Sequence, residues 1–458
     1  MSGRVLVVAY YFPPLGGIGV QRTLKYVTYL PRWGWQPTVV TSRNPAYTVR
    51  DPSLLAALSA DLTVHRTASL EPGRLPNAVA RLLSRGPTDS SGAAADLAKR
   101  PARGGLAGKL LWKSMILWNR IWNVLLFPDP EISWVPFGWR AGRKAGRRGE
   151  FDVVYSTASP ISAHIVAGLI KRSTHRPWVA DFRDPWIGNP FAADLRGLKG
   201  RLQRRTERWI VSRADRVVVV VEGMRDMFVE RYPDQADKFV CIPNGYDRAD
   251  MAGLEPVKGE PGHFTILFAG SLYRPGELDA FLGGVERLVA RRPDLRERLR
   301  VQFVGSVSPD NRHVADLYTT GDRLRGVVSF EGFVPRRQAL ARMAGADALL
   351  QLMTDGPGTG MFVGGKLYEY LAVDRPILAV MPPGEGRRLV ESVPTGRVAD
   401  VEPGSVADAL EQLLDDPPLP ARSDPTGRYD RANLAGELAT LLDQVVAEWD
   451  RSPAAERR

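Results

Sequence analysis

The chain is short of the residues that most often announce chemistry. Its 458 residues include one cysteine and five histidines. A single cysteine excludes an intrachain disulfide framework. Cys241 lies in the apolar run "KFVCIPNG", where a core position is expected. His164 and His313 stand alone, and neither a His/Cys cluster nor an Asp-x-Asp pair supplies metal-ligand spacing. No metal and no cofactor are expected. Gly-Lys-Ser/Thr is missing, which excludes a Walker loop. No apolar run is long enough to cross a bilayer. The first residues enter a strand without a basic and then apolar leader, so no signal peptide is expected. The expected location is the cytoplasm.

What is present is ordinary for a globular protein. Hydrophobic residues make up 44% and charged residues 25%. The length suits two or three domains. The formal net charge is +11 and the pI about 9.8. Such a balance fits a solvated basic surface, or anionic partners: phosphorylated metabolites, nucleic acid or an acidic membrane.

Short apolar runs alternate with amphipathic stretches, and the series occurs twice. The first contains Arg4–Ala9, Pro37–Thr41, "FDVVYST", "PWVADF" and "DRVVVVVE", with helical patterns at Gly19–Leu30, Ser162–Lys171 and Leu195–Ser212. The second contains "FTILFAGS", "RVQFVGS", "GVVSFEG", "ADALLQLM" and "PILAVM", with a helix from Glu277 to Arg291. Continuous apolar strands alternating with helices predict parallel sheets covered on both faces. The fold class is α/β, with two Rossmann-like domains at about 1–248 and 262–425. "MAGLEPVKGEPGH" reads as the linker between them. Apolar residues at helical spacing place a final helix within 426–450. Residues 85–109 are rich in Gly, Ala, Ser and Pro and read as a mobile loop. Residues 110–140 interleave Trp112, Trp118, Trp122, Trp134 and Trp139 with Lys and Arg. That pattern suits either a membrane-interface segment or a buried helix with its tryptophans inward.

Two glycine clusters are candidates for binding phosphate. "FPPLGGIGVQR" follows the first strand, and glycines before a helix let backbone approach an anion. The second strand ends "VVTSRN", without the carboxylate a nicotinamide reader needs. That leaves the loop as a tight turn or one wall of another site, with Arg22 an open contact. In the second half, glycines 358, 360, 364 and 365 lead into a helix bearing Lys366 and Glu369 on one face. A lysine at a helix N-terminus can hold a diphosphate, and a carboxylate one turn on can accept ribose hydroxyls. Gly270 and Arg274, in "FAGSLYRPG", are a second phosphate candidate.

The ordered set "YYFPPLGGIGVQR", "DFRDPW", "IPNGYD", "FAGSLY" and "GKLYEYLAVDRPILAV" resembles glycosyltransferase family 4, whose members have the GT-B fold and retain anomeric configuration. "FPDPEISWVP" and "DFRDPW" resemble the branch that builds bacterial polysaccharides and glycoconjugates. The resemblance implies a hexosyltransferase-type enzyme with a nucleotide-sugar donor in the second domain. Lys366 and Arg274 would hold the diphosphate, with Gly270 and Leu367 beside them, and Glu369 would bind the ribose. Gly16 and Gly17 would line the cleft from the first domain. The final helix would pack back on that domain. A glutamate usual in the family falls on Met361, so backbone NH groups of Gly360, Met361, Phe362 and Val363 are expected to serve instead. The family's acceptor-side histidine is replaced by Arg183, leaving Asp181, Arg183 and Asp184 as candidates for chemistry or for fixing the loop. The resemblance implies transfer without metal, to a glycan or lipid-linked acceptor, with a possible seat on the inner face of the membrane. Two alternatives stay open: a sugar-nucleotide epimerase of the same fold, and a non-catalytic basic protein binding membrane or nucleic acid. Nucleic acid is the less expected partner, because no recognised binding module is present.

Overall fold

The computed structural model describes residues 3–43, 45, 49–70, 126–189, 195–272, 276, 278–418 and 421–452. Segments 85–109 and 110–125 therefore lie outside the described residues, and Arg274 does too.

A seven-stranded parallel sheet forms from β1 (Gly3–Val8), β2 (Trp35–Ser42), β3 (Thr63–Thr67), β4 (Val153–Ala158), β5 (Trp178–Phe182), β6 (Arg216–Val219) and β7 (Phe239–Cys241). Its order is β3-β2-β1-β4-β5-β6-β7. The helices between are α1 (Ile18–Tyr29), α2 (Val135–Arg147), α3 (Ser162–Thr174), α4 (Gly197–Arg213) and α5 (Glu222–Arg231). A six-stranded parallel sheet follows: β8 (Phe264–Ala269), β9 (Leu299–Val304), β10 (Val328–Glu331), β11 (Ala348–Leu352), β12 (Ile377–Val380) and β13 (Gly396–Ala399), in the order β10-β9-β8-β11-β12-β13. Its helices are α6 (Asp279–Arg291), α7 (Leu295–Arg298), α8 (Pro309–Thr319), α9 (Arg336–Gly345), α10 (Gly365–Val373), α11 (Glu385–Glu391) and α12 (Pro403–Asp415). The last helix is α13 (Arg431–Arg451). Both sheets reverse strand order beside their first strand, and such switch points open crevices at the carboxyl ends of the strands.

Alternation within the strands assigns the two faces of the first sheet. Val5, Val7, Val153, Tyr155 and Val179 meet Tyr26 and Leu30 on one face. On the other, Leu6, Val8, Val154, Ala180 and Phe182 meet Val166, Ile170 and Ile210. Both faces are buried, so the strands read as unbroken apolar runs. The face beneath α1 is closed by the end of the chain. Leu434, Leu438, Leu442 and Val445 of α13 are buried there, spaced for one helix face. Each such side chain contributes about 1.5–3 kcal/mol by burial. The helix starts at Arg431, ahead of Leu434, the first residue of its apolar pattern, because the Asp430 side chain accepts from the Ala432 amide at 3.0 Å and caps it.

One expectation needs correcting, and one open alternative is met in part. Cys241 is half-buried, not a core residue, because β7 is the edge strand of its sheet. Burial and the adjacent Glu222 push its thiol up to about 12. In the described part of the Trp-rich stretch, Trp134 is fully buried and donates to Thr67 Oγ1 at 2.7 Å. Trp139 is half-buried and donates to Ser173 Oγ at 3.2 Å. These two rings belong to the first domain's packing.

The first sheet also encloses an ion pair. Arg22 of α1 donates from Nε and Nη2 to both oxygens of Asp181 at the end of β5, at 3.1 and 3.0 Å. It donates further to the carbonyls of Ile242 and Pro243. Tyr155 and Thr157 hydroxyls donate to Asp181 as well, at 2.6 and 3.0 Å. The Asp181 side chain is fully buried and that of Arg22 is 6% exposed. Removing one partner of such a pair strands the other's charge. Arg22→Met is expected to lower the unfolding free energy by about 3–5 kcal/mol in urea denaturation. The double variant Arg22→Met/Asp181→Leu is expected to recover part of that loss.

Candidate functional site

The two sheets point the carboxyl ends of β1, β4 and β5, and of β8, β11 and β12, at the residues singled out by the sequence. On the second sheet, α10 begins with Gly364 as its cap and Lys366 in its first turn. The lysine reaches back over β8, with Nζ 3.7 Å from the centroid of the Phe268 ring. Gly270 ends that strand with φ 144°, a backbone conformation that favours glycine. A Cβ on Gly270 would collide with the Lys366 side chain. The sequence placed Gly270 and Lys366 ninety-odd residues apart (~ by count along the chain), and the fold brings them into contact. Helix N-terminus, cation and bare backbone converge there, a combination suited to phosphate oxygens.

Glu369 lies one turn along the same helix. Its carboxylate is held by Arg336 of α9 at 2.7 Å. Arg336 also bridges to Asp250 at 2.8 Å, in the segment leaving the first domain. Asp250 in turn faces Lys25 of α1 at 3.3 Å. The 358–365 loop is tighter than its glycines suggest. The amides of Met361 and Phe362 close a 3-10 turn on the carbonyls of Gly358 and Thr359, so two of the four amides offered to the donor are engaged in the turn. Val363 and Leu367 are buried under α10. Met361 sits near Gly223 and Glu385. Glu385 accepts from the Gly223 amide at 2.8 Å, so a carboxylate of the second domain meets the N-terminal turn of α5 in the first.

On the opposite wall, Gly17 caps α1 with φ 89° and is exposed, while the amide of buried Gly16 donates to Val49 at 3.1 Å. Gly17 is thus the more open of the two. Arg183 fastens the loops around it. Its Nε donates to the Ala158 carbonyl at 2.7 Å, Nη2 to Ser159 at 3.2 Å, and Nη1 to Gly19. Asp181 is spent on Arg22. Asp184 is half-buried, and desolvation pushes its carboxyl up while Arg183 pulls it down. His164 is wholly buried and shares a 2.8 Å hydrogen bond with Ser156, and burial lowers its pKa to about 3. His313 is exposed on α8. Arg22, the open contact of the sequence, is structural.

Sequence reasoning missed three groups. Asp129 and Glu131, in "FPDPEISWVP", form a carboxyl pair beside the glycine loop: Tyr11 donates to Glu131 at 2.9 Å, and the Ser162 amide and hydroxyl donate to Asp129 at 2.9 and 2.5 Å. The Asp-Pro-Glu spacing was the available signal. Arg431, at the start of α13, has a buried Nη1 without a hydrogen bond among the described residues. Burial first and Arg336 second lower its pKa. Nothing in the local sequence marks it, because only the return of the last helix brings it to the domain junction.

Asp129 is pushed up to about 7, by burial first and the Glu131 carboxylate second. The folded protein therefore holds a proton that the unfolded chain releases near the usual carboxylate range. Sign follows: this contribution favours folding at low pH and is lost as pH rises towards about 7. Asp129→Asn is expected to gain stability relative to the parent over that interval, and to keep a constant offset above it, in urea midpoints measured against pH.

Comparisons with known proteins bear on the family and the fold. The family model described as Glycosyltransferase Family 4 matches residues 100–250, and that described as Glycosyl transferases group 1 matches residues 263–416. A Pseudomonas aeruginosa protein named "Probable glycosyltransferase WbjE" is 24% identical over 321 residues, spanning 66% of this chain and 72% of that one. Anabaena HepE, solved with UDP and glucose, superposes with a TM-score of 0.56 at 15% identity, over 96% of this chain and all of that one. Sucrose-phosphate synthase of Thermosynechococcus elongatus gives 0.59 at 14% identity, over 98% of this chain and all of that one. With both domain models matched in order on this two-sheet fold, the chain is a glycosyltransferase of GT-B architecture.

Proposed function

We propose that the enzyme transfers a hexose from a nucleoside diphosphate sugar to a glycan or lipid-linked acceptor, with retention and without a metal ion. The observation that carries the reading is the meeting of Lys366, Gly270 and the α10 N-terminus one turn from Glu369. The diphosphate would lie on the first three and the ribose on the carboxylate. Arg274, between Gly270 and α6, would add a second cation. The UDP and glucose bound to HepE support a sugar nucleotide as donor.

The chemistry breaks a sugar–phosphate bond, so negative charge grows on the leaving diphosphate. Fixed cations and helix dipoles stabilise such charge without reorganising. In this reading Lys366 and the first turn of α10 would do so. Among the described residues no three His, Cys, Asp or Glu side chains are grouped to hold a metal ion. Among the described residues no side chain is an evident covalent nucleophile, so the leaving phosphate itself would assist deprotonation of the acceptor on the same face. In this reading Asp129, Glu131 and Asp184 would lie on the acceptor side, where a hydroxyl would bind. The branch reading is polysaccharide or glycoconjugate assembly, in the cytoplasm at the inner face of the membrane. No described helix is long and apolar enough to cross a bilayer.

Titration calorimetry with UDP, GDP and dTDP is expected to show binding of one nucleotide. Lys366→Ala is expected to weaken it at least about tenfold, the scale of a lost charge-assisted contact. Unchanged affinity in that variant would sink the donor site. Incubating the sugar nucleotide without acceptor is expected to leave the sugar's configuration unchanged, whereas an epimerised product would favour the epimerase alternative.

A further inference from the structure

Most exposed large hydrophobic side chains are scattered singly, as on any protein surface. Two are not. Leu198 and Leu202 are 71% and 39% exposed and lie four residues apart on α4. At helical spacing they share a face with Arg201, Arg205 and Arg208, with Arg204 at its edge, and all four arginines are exposed. None of the four is in an ion pair among the described residues. The helix carries six Lys and Arg residues against one carboxylate, Glu207. That carboxylate is buried and bound to Arg231 at 2.6 Å, so it does not offset the outer face.

The inner face of α4 is firmly seated. Ile210 and Val211 are buried in the core of the first domain. Gln203 donates to the Trp186 carbonyl at 3.0 Å and accepts from the Leu195 amide at 3.2 Å. The helix is thereby tied to the loop that carries Arg183 and Asp184 on the acceptor wall.

We infer that the outer face of α4 docks on an anionic lipid surface. Leucines set among uncompensated arginines complement a bilayer in both respects: the cations meet lipid headgroups while the apolar side chains enter the headgroup boundary. Nucleic acid would use the cations but gain little from two leucines. Docking there would bring the acceptor wall close to the bilayer, where a lipid-linked acceptor carries its sugar. The inference takes up that acceptor from the proposed function, but the surface is distinct from the Trp-rich segment and from the donor site.

The test is flotation of the full chain with vesicles of phosphatidylcholine alone or mixed with phosphatidylglycerol, without donor or acceptor. Wild-type protein is expected to float with the anionic vesicles only, and to be released by salt. Arg201→Glu/Arg205→Glu is expected to lower the bound fraction at least about tenfold, and Arg201→Lys/Arg205→Lys to retain it. Leu198→Ser/Leu202→Ser is expected to weaken binding while leaving its salt dependence in place. Thermal melts check that each variant is folded, a low hurdle for exposed positions. Failure of wild type to float, or flotation of the folded Glu variant at the wild-type level, overturns the inference. So does binding of a DNA oligonucleotide that the Glu variant loses while vesicles are ignored. Nucleotide binding is measured on the same preparation, so a failed donor site and a failed membrane surface are separate results.

Discussion

The buried pairing of Arg22 with Asp181 is the constraint around which the first wall of the cleft is built. One guanidinium joins three segments distant in sequence: the helix after the glycine loop, the end of β5, and the residues that lead out of β7. Asp181 stands two residues before Arg183, which fixes the carbonyls of Ala158, Ser159 and Gly19. The glycine loop is therefore held at its helix by two arginines. Its exposed Gly17 is free to face a ligand because the side chains behind it are committed to the frame.

This explains why the fold was largely legible from sequence and the site only in part. Buried parallel strands need apolar residues on both faces, so "RVLVVA" and "VVVV" declare themselves. The helix boundaries shifted where a cap, invisible to apolar periodicity, set the start, as Asp430 does for α13. Lys366 and Glu369 were legible because three-residue spacing on a helix is a local property. The partners were not. Arg336 reaches Glu369 from α9, Arg431 arrives from the far end of the chain, and Glu385 touches Gly223 across the domain boundary. Each is a tertiary contact between distant segments with no periodic signal. Arg22 and Asp181 stood in motifs that resembled a family, yet their pairing is visible only in three dimensions.

The contacts across the junction give the two domains a shared electrostatic frame. Arg336 holds Glu369 on one side and Asp250 on the other, and Asp250 faces Lys25 of α1. A carboxylate proposed for the donor's ribose is thus connected, through alternating charges, to the helix that follows the glycine loop. Partly exposed pairs of this kind contribute little stability singly. Their alternation matters more for geometry, because each charge is oriented by neighbours of opposite sign. Ribose hydroxyls donating to Glu369 would alter the balance at Arg336 and hence at Asp250. Donor binding and the approach of the two domains would then be linked by charge as well as by shape.

The two walls differ in the sign of what they offer. On the side proposed for the donor, Lys366 and the α10 N-terminus would present positive charge to a diphosphate that becomes more negative as the bond breaks. On the side proposed for the acceptor, the carboxyl pair Asp129–Glu131 and half-buried Asp184 resist ionisation because burial penalises the charge. The direction is the same for all three, away from placing full negative charge opposite the proposed diphosphate site. Upward shifts on one side and the Lys366 cation on the other would, under the proposed function, act together in a reaction in which an anion departs.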